Sequence, residues 1–226
     1  VELRLLTTDA ERRIFIDRMT HARAVKNGGF RETERSCVGR IHMEFGRMYA
    51  LFDDAGPHPD QMIAGFIMHD LASFAQSYPK PDFSCYSPQY VFEFGELWSL
   101  ARGAGTILQR AGVLLLGLLQ AQAVVGYAIV KPWDLTMFYR DLVPVGEPIE
   151  WPYARTLDGG KIYCRAMVSE GDHLRAWVNK VWATGFETHD NHRRLRFPDY
   201  IGEVPQSEEL IVAPTRQEET NGAAHA

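Results

Sequence analysis

Glu93-Phe94-Gly95-Glu96-Leu97-Trp98-Ser99-Leu100-Ala101-Arg102-Gly103-Ala104-Gly105-Thr106-Ile107 is the stretch whose reading decides the fold. It reads as a strand running into a glycine-rich turn that opens a long apolar helix. Such a turn leaves backbone N–H groups unsatisfied at a helix N-terminus, where the macrodipole also favours negative charge. The expectation is a phosphate cradle. The strand before it carries two carboxylates, Glu93 and Glu96, able to do proton chemistry beside whatever the cradle holds.

Working outward, Thr8 and Asp9 supply N-cap chemistry for a helix through about Lys26, stopped by Asn27-Gly28-Gly29. A second helical segment is expected over Glu32 to Arg47. Met48–Phe52 and Met62–Met68 read as an antiparallel strand pair, joined by the turn formers of Asp53 to Asp60. Ser73 to Pro88, rich in proline and aromatics, reads as a packed loop walling a cleft. Tyr90 to Leu100 is the strand quoted above, and the helix after the turn is predicted over Thr106 to about Val124. Gly126 to Val130 is β-prone. Pro132 is suited to open a helix through Asp134 to about Leu142. Val145–Trp151 and Lys161–Ser169 read as strands, and Asp172 to Thr184 as a last helix. The result is a single mixed α/β domain over 1–202, with an N-terminal helical region (1–47) and a core sheet (48–169). The polar residues 203–226 read as a disordered tail.

The totals exclude several classes. The chain has 226 residues, 46% hydrophobic and 23% charged, which suits one sizeable core. A formal charge of −5 argues against a nucleic-acid binder. Cys37, Cys85 and Cys164 are odd in number and far apart, which disfavours a disulfide framework or zinc site and fits a cytoplasmic setting. No signal peptide is legible at Val1 to Arg13. Ala111 to Val130 is long and apolar, but Gln120, Gln122 and Gly126 break it into a buried helix and a strand rather than a membrane span. His69-Asp70 points to opposite faces as a strand dyad, and His189 to His192 offers no regular third metal ligand, so no metal site is expected. Arg193, Arg194 and Arg196 form a local basic patch.

This order of elements and this turn resemble the GNAT superfamily, the Gcn5-related acyltransferases that use acyl-CoA. Their pyrophosphate loop reads Q/R-x-x-G-x-G/A. Arg102-Gly103-Ala104-Gly105-Thr106-Ile107 matches the arginine and the first fixed glycine, with Ile107 standing where the family has a small residue. Phe138-Tyr139-Arg140-Asp141-Leu142 is similar to the first half of the family's F/L-Y-x-x-L-G-F. Glu96-Leu97-Trp98-Ser99-Leu100 resembles the E-[IL]-x-R-L of N-acyl amino acid synthases and their autoinducer-synthase relatives, with Ser99 in place of the basic residue.

The resemblance implies a GNAT-like domain with a central, mostly antiparallel, splayed sheet flanked by helices. It implies no permanently bound cofactor, but acyl-CoA, or an acyl-carrier protein, as co-substrate, and the amine of a small molecule such as an amino acid as acceptor. Glu93 or Glu96 would be the general base; both stay open, because residues three apart on a strand face opposite ways unless a bulge, which Gly95 permits, intervenes. Tyr139 would be the general acid. Arg102, Gly103, Ala104, Gly105 and Thr106 would hold the pyrophosphate, and backbone groups of Leu97, Trp98 and Ser99 the thioester. Trp133 would flank pantetheine or, alternatively, anchor the core. A non-catalytic acyl-CoA or phosphate-binding module, and an interaction protein on the same fold, remain the competing readings. The oligomeric state is open, a homodimer included.

Overall fold

A computed structural model describes residues 1–25, 29–32, 43, 46–53, 61–71 and 81–184. The described elements are β1 (Glu2–Leu5), α1 (Asp9–Val25), β2 (Phe30–Glu32), β3 (Arg47–Asp53), β4 (Gln61–Asp70), β5 (Val91–Ser99), α2 (Ala104–Leu118), β6 (Ala123–Lys131), β7 (Val143–Thr156), β8 (Lys161–Glu170) and α3 (Gly171–Thr184). The strands make one sheet in the order β1-β3-β4-β5-β6-β8-β7-β2. Every neighbouring pair is antiparallel except β5 with β6.

Helices cover both faces. On one, α1 is set by a capping box in which Thr8 and Glu11 bond reciprocally, the Thr8 hydroxyl reaching Glu11 at 2.7 Å. It buries Phe15, Met19 and Ala22 against Met48, Ala50, Ile67 and Trp98. Gly65 is required here, because a Cβ on it would meet the Phe15 and Trp98 rings. On the other face, α2 is packed by Ile107, Leu108, Ala111 and Leu115, with α3 beside it contributing Leu174, Trp177 and Val178. A strand covered on both sides has no solvent face. Accordingly β4 is buried from Met62 to Met68 and on to His69.

The structure departs from the sequence expectations at several boundaries. The helix predicted to run to Val124 stops at Leu118, where Gln120 turns left-handed (φ 54). A Schellman pair closes it, Ala121 N–H donating to Leu116 O and Gln120 N–H to Gly117 O. The apolar run therefore divides into helix and strand, and among the described residues no helix is long and apolar enough to cross a membrane. The helix expected from Asp134 to Leu142 is a single 3-10 turn, Thr136–Tyr139. The Asp134 carboxylate accepts from the Thr136 N–H and hydroxyl, a local turn that competes with a longer helix. Both edge strands, β1 and β2, escaped the reading. The second helix expected over Glu32 to Arg47, the turn between β3 and β4, Cys37, the His189 and Arg193 clusters and the tail lie outside the described residues, apart from the ends that fall in β2 and β3 and the positions Met43 and Gly46.

Candidate functional site

The site is built on the one parallel seam. β5 and β6 pair only over Val91↔Ala123, Phe92↔Val124 and Glu93↔Val125, after which they diverge. At the same place β5 leaves its register with β4. Gly65 opposes Trp98 but Ile67 opposes Gly95, so Phe66 faces both Glu96 and Leu97. That is a β-bulge, and it kinks β5 away from β6. The sequence left a bulge open, with Gly95 as the permissive residue; the left-handed residue is Glu96 instead, at φ 55.

Between the diverging strands lies a cavity of about 460 Å³. Glu93, Glu96, Leu97, Trp98, Ser99, Arg102, Gly103, Gly105, Thr106 and Tyr139 all border it. The bulge thus brings both carboxylates to one space, which strict alternation would forbid. Their settings differ. Glu96 is ion-paired with Arg23 of α1, both side chains being largely buried. Glu93 lies close enough to Tyr127 and Tyr139 for its charge to act on both phenols. Burial, first of all, pushes the hydroxyls of Tyr127 and Tyr139 far up from the ordinary tyrosine range. Glu93 adds to this at both, and Cys164 does so at Tyr139 more strongly than Glu93. Both phenols therefore stay protonated and can donate.

Tyr139 reaches the seam because β6 carries glycine beneath it. A Cβ on Gly126 would lie 2.6 Å from Tyr139 Cε1 and 3.1 Å from Phe94 O. The turn before α2 is held by Ser99, whose hydroxyl donates to Ala101 O at 2.8 Å, and by Leu100 N–H donating to Ile63 O. Gly103 is the N-cap at φ 77, a conformation that favours glycine, and no side chain caps the helix. Ala104 N–H donates to Ala101 O and Thr106 N–H to Gly103 O, which leaves the amides of Gly103 and Gly105 for an external acceptor of hydrogen bonds, as at anion sites of helix N-termini. Ala104 is fully buried and Ile107 is 3% exposed, and both pack inward against the sheet. The isoleucine that breaks the motif therefore sits on the core side of the helix rather than on the cavity wall.

Trp133 does not border the cavity; it packs against Ile129, Ala154, Ile162 and Cys164. Phe83 and Tyr86, the described aromatics of the loop expected to wall the cleft, pack instead on Val91, Ala123 and Val125. The sequence reading missed much of the opposite wall: Arg23, Phe30, Tyr127, Trp151 and Cys164. Alternation along β6 places Tyr127 and Ile129 on one face and would have found Tyr127. Arg23 carries no local signal. Burial pushes the Cys164 thiol up to about 12, so it is held as a neutral thiol. His69 is buried and Asp70 lies 3.2 Å from Arg47. Among the described residues no group of three or more His, Cys, Asp or Glu side chains is arranged to hold a metal ion.

Solved structures share this architecture. One is a proposed acetyltransferase from Acinetobacter baylyi ADP1, 12% identical, covering 75% of this chain and 92% of that one at a TM-score of 0.52. A spermidine N-acetyltransferase variant from Vibrio cholerae is 15% identical over 80% of this chain and 99% of that one, at 0.49. A proposed acetyltransferase from Salmonella typhimurium with acetyl-CoA is 9% identical over 74% of this chain and 92% of that one, at 0.46. No protein-family model and no curated protein sequence matches the chain. The first of these structures carries the likeness, and what it defines is the fold: a single open, mostly antiparallel sheet flanked by helices.

Proposed function

We propose that this chain is an acyltransferase that moves an acyl group from a CoA thioester to the amine of a small molecule by direct attack in a ternary complex. The observation that carries the reading is the convergence, in one cavity at the splayed seam, of an uncapped helix N-terminus, a carboxylate and a protonated phenol. The fold alone does not establish an activity.

In this reading the turn from Gly103 to Thr106, chiefly through the N–H groups of Gly103 and Gly105, and the Arg102 guanidinium hold the pyrophosphate. The pantetheine arm runs between β5 and β6, in the gap where a ladder would otherwise close. Glu93 takes a proton from the acceptor amine, whose nitrogen then attacks the thioester carbonyl. Backbone N–H groups around Leu97 to Ser99, along the stretch where β5 no longer pairs with β6, stabilise the oxyanion. As the C–S bond breaks, the Tyr139 hydroxyl protonates the departing thiolate. Glu93 is assigned as the base because the Glu96 carboxylate is already engaged by Arg23. The likeness of Glu96–Leu100 to N-acyl amino acid synthases supports an amino acid as acceptor and leaves an acyl-carrier protein as an alternative donor.

The test is release of free CoA from acetyl- and palmitoyl-CoA in the presence of a panel of amines and amino acids. Amine-dependent release that falls in Glu93→Gln while CoA still binds supports the reading. Tight CoA binding without release, for any acceptor, favours the non-catalytic binding module.

A further inference from the structure

The bulge of β5 stands in a conformation that its own residue disfavours. Glu96 is left-handed, and a glutamate there is strained where a glycine would not be. Such a residue persists when its surroundings hold it. The carboxylate of this one is engaged by an arginine from a distant element. Arg23 lies in the last turn of α1, where the helix end favours a cation. Its guanidinium pairs with the Glu96 carboxylate, the two side chains being only 10% and 16% exposed. The same guanidinium lies 5.3 Å from the centroid of the Phe30 ring, and Phe30 in turn packs on Trp151 at 5.8 Å. Phe30 and Trp151 belong to β2 and β7, on the far side of the seam from β5. Arg23 therefore touches both halves of the sheet across the cavity, by charge on one side and by a ring face on the other.

We propose that Arg23 is a positioning residue for the thioester site: through Glu96 it fixes the left-handed bulge, and with Phe30 it sets the width of the gap between β5 and the β7–β2 wall. Arg23 does not react. It determines where the backbone of Leu97 to Ser99 points, and so how well a thioester carbonyl is held. The proposal rests on the acyltransferase reading for what the gap accepts, but not for the coupling itself.

The experiment compares Arg23→Ala, Arg23→Lys, Glu96→Gly and the double variant Arg23→Ala/Glu96→Gly by hydrogen exchange and by CoA titration. In Arg23→Ala, exchange across Glu96 to Ser99 accelerates by about tenfold or more while β3 is unchanged, as expected of a local opening. CoA binding weakens by roughly five- to tenfold, with kcat falling more than KM rises. Arg23→Lys, which keeps the charge but not the planar stack, restores part of both. Because glycine adopts the left-handed conformation freely, Glu96→Gly removes the need for the arginine at the bulge, and the double variant matches Glu96→Gly in bulge exchange within about twofold. Unchanged exchange at the bulge in Arg23→Ala, or effects of the two substitutions on that exchange that simply multiply, overturns the proposal. Should Arg23→Ala fail to fold, Arg23→Lys and the double variant decide by the same exchange readout. If the wild-type chain binds no CoA, the thioester reading falls, while bulge exchange still decides the role of Arg23.

Discussion

The sheet has two halves, and they are built differently. β1, β3, β4 and β5 are clamped between α1 and α2, and β4 is buried along nearly its whole length. In β6, β8, β7 and β2 the cover is thinner: β7 is exposed from Val143 to Glu147, and its ladder with β8 slips twice. The halves meet over three residue pairs. A dry, doubly covered half gives a fixed frame, and the open seam beside it gives space that side chains alone could not create. Stability should reside in the first half and chemistry at the seam.

That contrast can be broken by substitution. The largest effect expected is on turnover in Glu93→Gln: a loss of about 100- to 10,000-fold, the range for a general base, with an unchanged unfolding midpoint. Phe15→Ala, in the clamped half, should do the reverse. Removing a fully buried ring wedged on Trp98 costs about 3–5 kcal/mol in chemical denaturation, while CoA affinity per folded molecule stays within about twofold. If Phe15→Ala abolished binding in molecules that remain folded, the division between frame and seam would be wrong.

Alkaline titration sharpens the comparison from the thin-walled side. Cys164 has its thiol raised from 9.0 to about 12, so between those values the unfolded chain loses a proton that the folded chain keeps. Stability should therefore be fully present below pH 9 and fall as pH rises toward 12, by up to about 1.4 kcal/mol per pH unit. Tyr127 and Tyr139, raised from 10.0, steepen the fall above pH 10. Cys164→Ala should remove the part that begins near pH 9, and an unaltered profile would mean that the thiol ionises freely. Smaller still, Gly126→Ala pushes a Cβ at the Tyr139 ring and should cost about 1–3 kcal/mol of stability together with part of the turnover. Arg102→Ala should weaken CoA by only a few-fold, and less at high salt, because the exposed guanidinium adds to a cradle made mostly of backbone.

The two halves also differed in how far the sequence revealed them. The clamped half was legible, because long apolar-patterned runs declare α1, β3, β4 and β5. What failed there was β1, four residues too short to show a period. At the seam, the glycine turn and the pair Glu93 and Glu96 were visible, since a left-handed N-cap and carboxylates on a strand leave local marks. The opposite wall was not. Phe30 sits in a strand of three residues that exists only by pairing with Thr156, Arg155 and Ala154. Arg23 reads as one of several charged residues on an amphipathic helix, and its partner is set by a bulge seventy residues on. Ile107, standing where the family's motif has a small residue, is a core residue of α2. Tertiary contacts assign these roles, and a window of sequence does not contain them.

The most direct test of a CoA-thioester site at the splayed seam is an amide chemical-shift titration of the folded chain with CoA. Saturable shifts, largest at Gly103, Gly105 and Thr106 and continuing along Glu96 to Ser99, are the predicted result. Saturation that leaves these amides unmoved, or no saturation at millimolar CoA, would contradict it.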